Sequence, residues 1–283
     1  MIQLHRRFIF TLLLILTTLL QIVPLHADGD LKKPTQPLPQ FKWKVGEELE
    51  YKVKYSFLTV GSLKFWILNK DTLAGRNVYR CRMHMKSSSA IPFVNLDDTY
   101  ESLIDEDVYS HRAEAWEQGG DHILYTRYDF DYEQGKVLMF MEKRYKDDDR
   151  TEVVLDSSTV LNGRVQDGFS LLFFARANVE RSDTADVTVF SFNNFNQTNI
   201  NFTGKVEDLK AKGEKVDGYF LDGKMKFVGI AGLKEDFEGW FAQDAQRVPL
   251  HAKMKAFLGS VRLNLHKWNN WDGEIKSLED DDD

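Results

Sequence analysis

The chain has 283 residues, 42% of them hydrophobic, and its 37 basic and 44 acidic side chains give a formal net charge of −7. That surplus of acid argues against a nucleic-acid partner, whose affinity rests on basic side chains neutralising phosphates, and against electrostatic docking on anionic lipid. Cys81 is the single cysteine, so no intrachain disulfide can form and stability must come from a core rich in aromatic side chains.

In chain order, His5-Arg6-Arg7 leads into the apolar run Phe8 to Leu20, and Leu25-His26-Ala27 precede the acidic Asp28-Gly29-Asp30. This layout predicts a secretory signal peptide over residues 1–27. The run, about 13 residues at 1.5 Å each, is short for a hydrocarbon layer of roughly 30 Å. Cleavage after Ala27 removes Arg6 and Arg7 and no acid, leaving 35 − 44 = −9. No cysteine adjoins the cut to carry a lipid anchor. The expectation is an exported, periplasmic, soluble protein of a bacterial cell envelope with no transmembrane segment after cleavage. Residues 28–41 then read as a linker, because Pro34, Pro37 and Pro39 withhold backbone donors from helix and sheet alike.

From residue 42 to 272 the sequence predicts one β-rich domain, since the dominant period is two. Leu49, Tyr51, Val53, Tyr55 and Phe57 alternate with Glu50, Lys52, Lys54 and Ser56; Tyr79, Cys81, Met83 and Met85 alternate with Arg80, Arg82, His84 and Lys86. Leu124 to Tyr132 repeats the pattern, and a Gln134-Gly135 turn returns the chain through Val137, Met139 and Met141. Strands with one apolar and one charged face belong to antiparallel sheets with a wet side. Cys81, inside such a strand, reads as a buried inert thiol. Further strands are expected at 186–192, 199–206, 218–229, 237–242 and 248–265, the last broken near Gly259. One stretch differs. Asp167-Gly168-Phe169-Ser170-Leu171-Leu172-Phe173-Phe174-Ala175-Arg176 is apolar nearly all round behind a capping Asp, as a buried helix would be. The predicted fold is mainly β: a curved antiparallel sheet or open barrel wrapped around one short helix. Residues 273–283 end in an acidic block with nothing to bury and read as a disordered tail.

Gly46-Glu47-x-Leu49-x-Tyr51 before the first strand, Gly61 opening the second, the Asp167–Arg176 segment, and Asp244-x-x-Arg247-Val248-Pro249 near the end together resemble a family of exported bacterial envelope proteins, domain of unknown function 3108. The resemblance runs from about Val45 to Leu265. It implies a β-rich envelope protein and supplies no catalytic residue; by analogy the architecture is similar to the open barrels of periplasmic lipoprotein carriers. The residues themselves read structurally. Gly46 and Glu47 set up the first strand, Asp167 caps the helix, Asp244 organises a turn and offers Arg247 a partner, and Pro249 opens a strand where its missing donor does no harm.

No motif of catalysis or metal binding survives inspection. Asp129-x-Asp131-x-Glu133-x-Gly135 lacks the glycine position and terminal Glu of a calcium loop, and Phe130 and Tyr132 interleave it at strand spacing. His111 and Glu114 have helical ligand spacing but lie in a predicted strand, where they point to opposite faces. Ser170 lacks the second glycine of a nucleophile elbow. No catalytic residue, metal ligand or cofactor is therefore assigned. The leading expectation is a non-enzymatic protein that holds an apolar, lipid-like ligand between sheet and helix, against a lining that includes Phe57, Phe65, Met83, Met139, Phe173 and Phe174. The alternative is a structural or protein-interaction module of the envelope with a solid core; a hydrolase comes third.

Overall fold

The structure, a computed structural model, describes residues 41–89, 95–211, 214–228, 234–255 and 259–273. The expected signal peptide, nearly all of the linker and all but the first residue of the acidic tail lie outside that set. Among the described residues fifteen strands follow one another: β1 Glu48–Tyr55, β2 Leu58–Leu73, β3 Arg76–Ser87, β4 Asp97–Asp105, β5 Ser110–Gln118, β6 His122–Asp131, β7 Lys136–Tyr145, β8 Thr151–Val160 and β9 Gln166–Asp167 precede the helix α1, Ser170–Asn178. After it come β10 Ser182–Ser191, β11 Asn194–Ala211, β12 Glu214–Val228, β13 Lys234–Phe241, β14 Pro249–Lys255 and β15 Ser260–Asn269. All join one sheet in the order β8-β7-β6-β5-β4-β3-β2-β1-β15-β14-β13-β12-β11-β10-β9. Neighbours are antiparallel except the two-residue pairing of β9 with β10. The first strand thus pairs with the last, and consecutive strands are otherwise neighbours except β8 and β9, which end the order on opposite sides; most connections are therefore short loops between adjacent strands.

The period of two does what it predicts. Leu49 and Tyr51 of β1, Leu63, Phe65 and Ile67 of β2, and Tyr79, Cys81 and Met83 of β3 are buried together against Phe173 and Ala177 of α1. The opposite face carries cross-strand charge pairs: Arg80 and Arg82 both reach Glu101, and Arg112 and Arg127 both reach Asp129. Asp129 is therefore held by arginines. Asp131 accepts the amides of Glu133 and Gln134 in the turn before β7. Neither forms a cation loop.

The turn corrects the expectation for Phe57. β1 ends at Tyr55, and Phe57, beyond it in the tight turn to β2, is 72% exposed. The β1–β2 register slips beside this turn, where Val60 of β2 stands unpaired between the Val53–Gly61 and Lys54–Thr59 pairs. Gly61 lies inside β2, not at its start, and a Cβ there would come within 2.4 Å of the Lys86 carbonyl oxygen on β3. Close backbone approach, not a turn, requires that glycine.

The helix also sits slightly later than expected. Asp167 belongs to β9 and α1 begins at Ser170, after Phe169. Its two sides face different strands. Phe173 and Ala177 join the cluster built on β1–β4, β14 and β15, whereas Ala175, with Val179 just past the helix, joins Val187, Val189, Ile200, Phe202, Leu221 and Phe241 of β10–β13. A third cluster forms away from the helix, where Phe190 of β10 packs on Phe130, Val137 and Met139 of β6 and β7. The far arm of the sheet thereby comes back onto the near one through side chains.

Candidate functional site

The residues singled out by motif converge on α1. Gly46 adopts φ +84°, and a Cβ there would lie 2.6 Å from Asn270 Nδ2, so only glycine turns the chain here without strain. The turn delivers Glu47 into the core. Its carboxylate accepts both arms of the Arg176 guanidinium, at 2.7 and 2.8 Å, and an amide N–H of Gln246 at 3.0 Å. Arg176 donates its remaining bonds to the Gln246 carbonyl at 2.8 and 3.2 Å and lies over the rings of Phe41 and Phe173. Both ions are almost wholly buried, at 1% and 2% exposure. Burial works against the arginine's charge, and the adjacent Glu47 carboxylate overcomes it, holding the guanidinium protonated. Phe41, assigned to the linker by sequence, is part of this core: it meets Trp43 edge-on, and Trp43 stacks on Tyr79 and Phe173.

The Asp244–Pro249 segment clamps the end of the helix. Asp244 does not pair with Arg247 as expected. Its carboxylate accepts the amides of Gln246 and Arg247 and the indole N–H of Trp271, and so fixes a turn in which Arg247 holds a left-handed φ of +46°. That backbone turn aims the Arg247 guanidinium at α1, where it donates to the Ala177 carbonyl at 3.1 Å and pairs with Glu180 at 2.7 Å. A cation at the negative end of a helix satisfies carbonyls that have no partner within it. Pro249 opens β14 as expected, and its carbonyl accepts the hydroxyl of buried Tyr51 at 2.8 Å.

Asp167 does the corresponding work at the other end. Its carboxylate accepts the amides of Phe169 and Ser170 at 2.7 and 2.8 Å and the Ser110 hydroxyl of β5 at 2.5 Å. Burial pushes this carboxyl above its ordinary range against the pull of those donors. The Ser170 hydroxyl donates to Gln166 at 2.7 Å. Serine and carboxylate meet here, yet the contacts tie β5, β9 and the helix together and bring in no imidazole. Elsewhere burial likewise pushes up the Tyr51 hydroxyl and the Cys81 thiol, so that thiol stays protonated.

By local pattern Arg176 is only the end of a helical segment. The signal of its role is its setting: one guanidinium inside an otherwise apolar run from Phe169 to Ala177 has to find a buried acid. Of the expected apolar lining, Phe65, Met83 and Phe173 are core around the helix, with Phe174 half-buried beside them. Met139 belongs to the separate cluster under Phe190, and Phe57 lies outside both.

What remains is the helix-bearing face beyond the helix. Register carries one row of side chains across it: Phe65, Met83, Tyr100, Ala115, Thr126, Met141, Leu155. The first two are buried against α1, whereas Tyr100, Ala115, Met141 and Leu155 are only half-buried. One row along lie Asp98, Glu117, Leu124 and Lys143 on the same face. Asp98 accepts the Gln118 amide at 2.7 Å, and the Tyr100 hydroxyl donates to Glu117 at 3.3 Å. Burial first, and then a neighbouring carboxylate, Asp97 for Asp98 and Asp98 for Glu117, raise both carboxyls above the ordinary range. Among the described residues no group of His, Cys, Asp and Glu is arranged to hold a metal ion. The strip is apolar along its middle and weakly acidic along one side.

The family described as "Protein of unknown function (DUF3108)" matches residues 50–266, from β1 to β15. No curated protein matches the sequence. The chain is similar to the crystal structure of a beta-barrel-like protein of the domain of unknown function DUF1849 from Brucella abortus, with a TM-score of 0.54 at 11% identity, over 81% of this chain and 98% of that one. At such identity the likeness shows the shared fold alone.

Proposed function

We propose a binding function on one premise: this chain belongs to the DUF3108 family of proteins of unknown function. It is a non-enzymatic protein of the bacterial cell envelope, exported to the periplasm, and it holds an apolar, lipid-like moiety on the helix-bearing face of its sheet. The observation that carries this reading is the half-buried row Tyr100, Ala115, Met141 and Leu155, which continues the core row of Phe65 and Met83 past the end of the helix. Aromatic and methionine side chains adapt to irregular apolar ligands. Met83 and Met139 border the strip. Asp98, Glu117 and Tyr100 add a polar edge suited to orienting a ligand that also bears a hydroxyl or a cationic group. The three helix anchors contribute rigidity and touch no ligand.

Native mass spectrometry of protein purified from its own envelope tests the reading: a lipid-sized adduct is expected. In parallel, an environment-sensitive apolar dye should bind saturably at about one site, and Met141→Asp should abolish that binding, because a charge on an apolar surface is costly to desolvate. Circular dichroism checks that the variant is folded, and Phe57→Asp in the exposed turn is the control. A bare mass with no saturable dye binding would replace this reading with a structural or protein-interaction module whose interior is filled.

A further inference from the structure

We propose that the open edge of β8 is a self-association surface, on which a second copy of this chain adds its own β8 antiparallel about a two-fold axis at Ser158. β8 ends the strand order, and no strand among the described residues pairs with its outer side. It is ten residues long and exposed along nearly its whole length, with Val153 at 58% and Val160 at 64%. Thr151–Val160 contains no proline and no lysine or arginine, and its bulge at Val154, between the Leu155–Met141 and Val153–Glu142 pairs, leaves Asp156–Val160 as a regular edge without those devices against pairing.

Register fixes which backbone groups are on offer. Leu161 donates its amide to the Gly135 carbonyl at 2.8 Å, so Gly135 and Leu161 form a hydrogen-bonded pair. Hydrogen-bonded and non-bonded pairs alternate along an antiparallel ladder. Thr159 and Ser157 therefore bond to β7, whereas Val160, Ser158 and Asp156, opposite Lys136, Leu138 and Phe140, turn their amides and carbonyls to the open side. A two-fold at Ser158 pairs Ser158 with Ser158 and Asp156 with Val160 of the second copy, and each of these pairs can exchange two hydrogen bonds.

Side chains favour the same axis. Leu138, directly opposite Ser158 in register, is 47% exposed, so the symmetric row reads Leu138, Ser158, Ser158, Leu138 across the junction and joins two apolar patches. The next row places Lys136 and Val160 of one copy beside Asp156 and Phe140 of the other. The acid that faces the edge thus lies in line with a lysine, while the two Asp156 side chains stay apart by four residues of strand, about 13 Å. An axis at Asp156 would instead set them against each other.

Crosslinking tests the axis. Directly opposed positions in a hydrogen-bonded pair have Cα atoms about 5.5 Å apart, within disulfide reach. Under mild oxidation Ser158→Cys should therefore give a covalent dimer, and Asp156→Cys several-fold less; buried Cys81 is common to both. Sedimentation of the unmodified protein should show mass rising with concentration. Ser158→Pro, which removes an amide facing the open side and leaves the β7 ladder intact, should remain monomeric with an unchanged circular dichroism spectrum. Monomer at every concentration, equal crosslinking at both positions, or association undiminished in the folded Ser158→Pro variant would each overturn the proposal.

Discussion

The helix-bearing face of this sheet is finished in two different ways. Where α1 lies on it, three charged side chains hold specific partners: Glu47 holds Arg176, Arg247 caps the helix end, and Asp167 gathers the first turn. Across β4–β8, beyond the helix, part of the same face is only half-buried, and its carboxyls at Asp98 and Glu117 are raised by burial with no cation among the described residues bonded to either. The difference teaches that one short helix can close only part of a wide sheet. The covered part is specified by buried charge pairs, and the rest is left to the side chains of the sheet itself.

The sharpest way to break this contrast is to remove one member of the buried pair. Arg176→Met should cost about 3 to 5 kcal/mol in chemical denaturation, since it leaves Glu47 in the core without its counter-ion. The double variant Glu47→Leu with Arg176→Met should recover most of that loss; if it is as unstable as the single one, the pair is not what makes the covered half sensitive.

Packing gives the next largest effect. Phe173→Ala, at 1% exposure, should cost about 3 to 4 kcal/mol from lost transfer energy and the cavity left behind. Met141→Ala on the half-buried strip should cost about 1 kcal/mol. Equal losses at the two positions would mean that the strip is as tightly filled as the core.

The smallest effect depends on pH. A carboxyl whose pKa is higher in the folded state than in the unfolded chain binds more protons when folded, so stability falls as pH rises from the unfolded value, about 4, through the folded one. Glu117→Gln removes that contribution. The variant should match the parent near pH 3 and exceed it modestly at pH 8, read as a difference in denaturation midpoint. A parent that outlasts the variant at pH 8 would reverse the assigned direction.

How far these regions were legible follows from the kind of signal each leaves. Strands such as β3 and β7 appear in the sequence because alternation is local, and the apolar segment around Phe173 appears because a buried helix has no polar stripe. The Glu47–Arg176 pair joins residues 129 positions apart, which no local period can reveal. Phe57 leaves the expected lining because β1 ends at Tyr55 and the chain turns there, and alternation extended past a strand end carries no information about a turn. Arg247 was expected to meet Asp244, three residues away, but Asp244 spends its carboxylate on the turn amides and on Trp271, which frees the guanidinium for the helix.

Sequence alone determined that the described chain is a one-sided antiparallel sheet with a single buried helix, since side-chain alternation and an all-round apolar segment are properties of neighbouring residues. Only the tertiary structure decided that the motif residues serve that helix, and that the apolar face outruns it toward β8. Those outcomes depend on which distant strands meet and in what register, and a register is settled by the packing of the whole sheet.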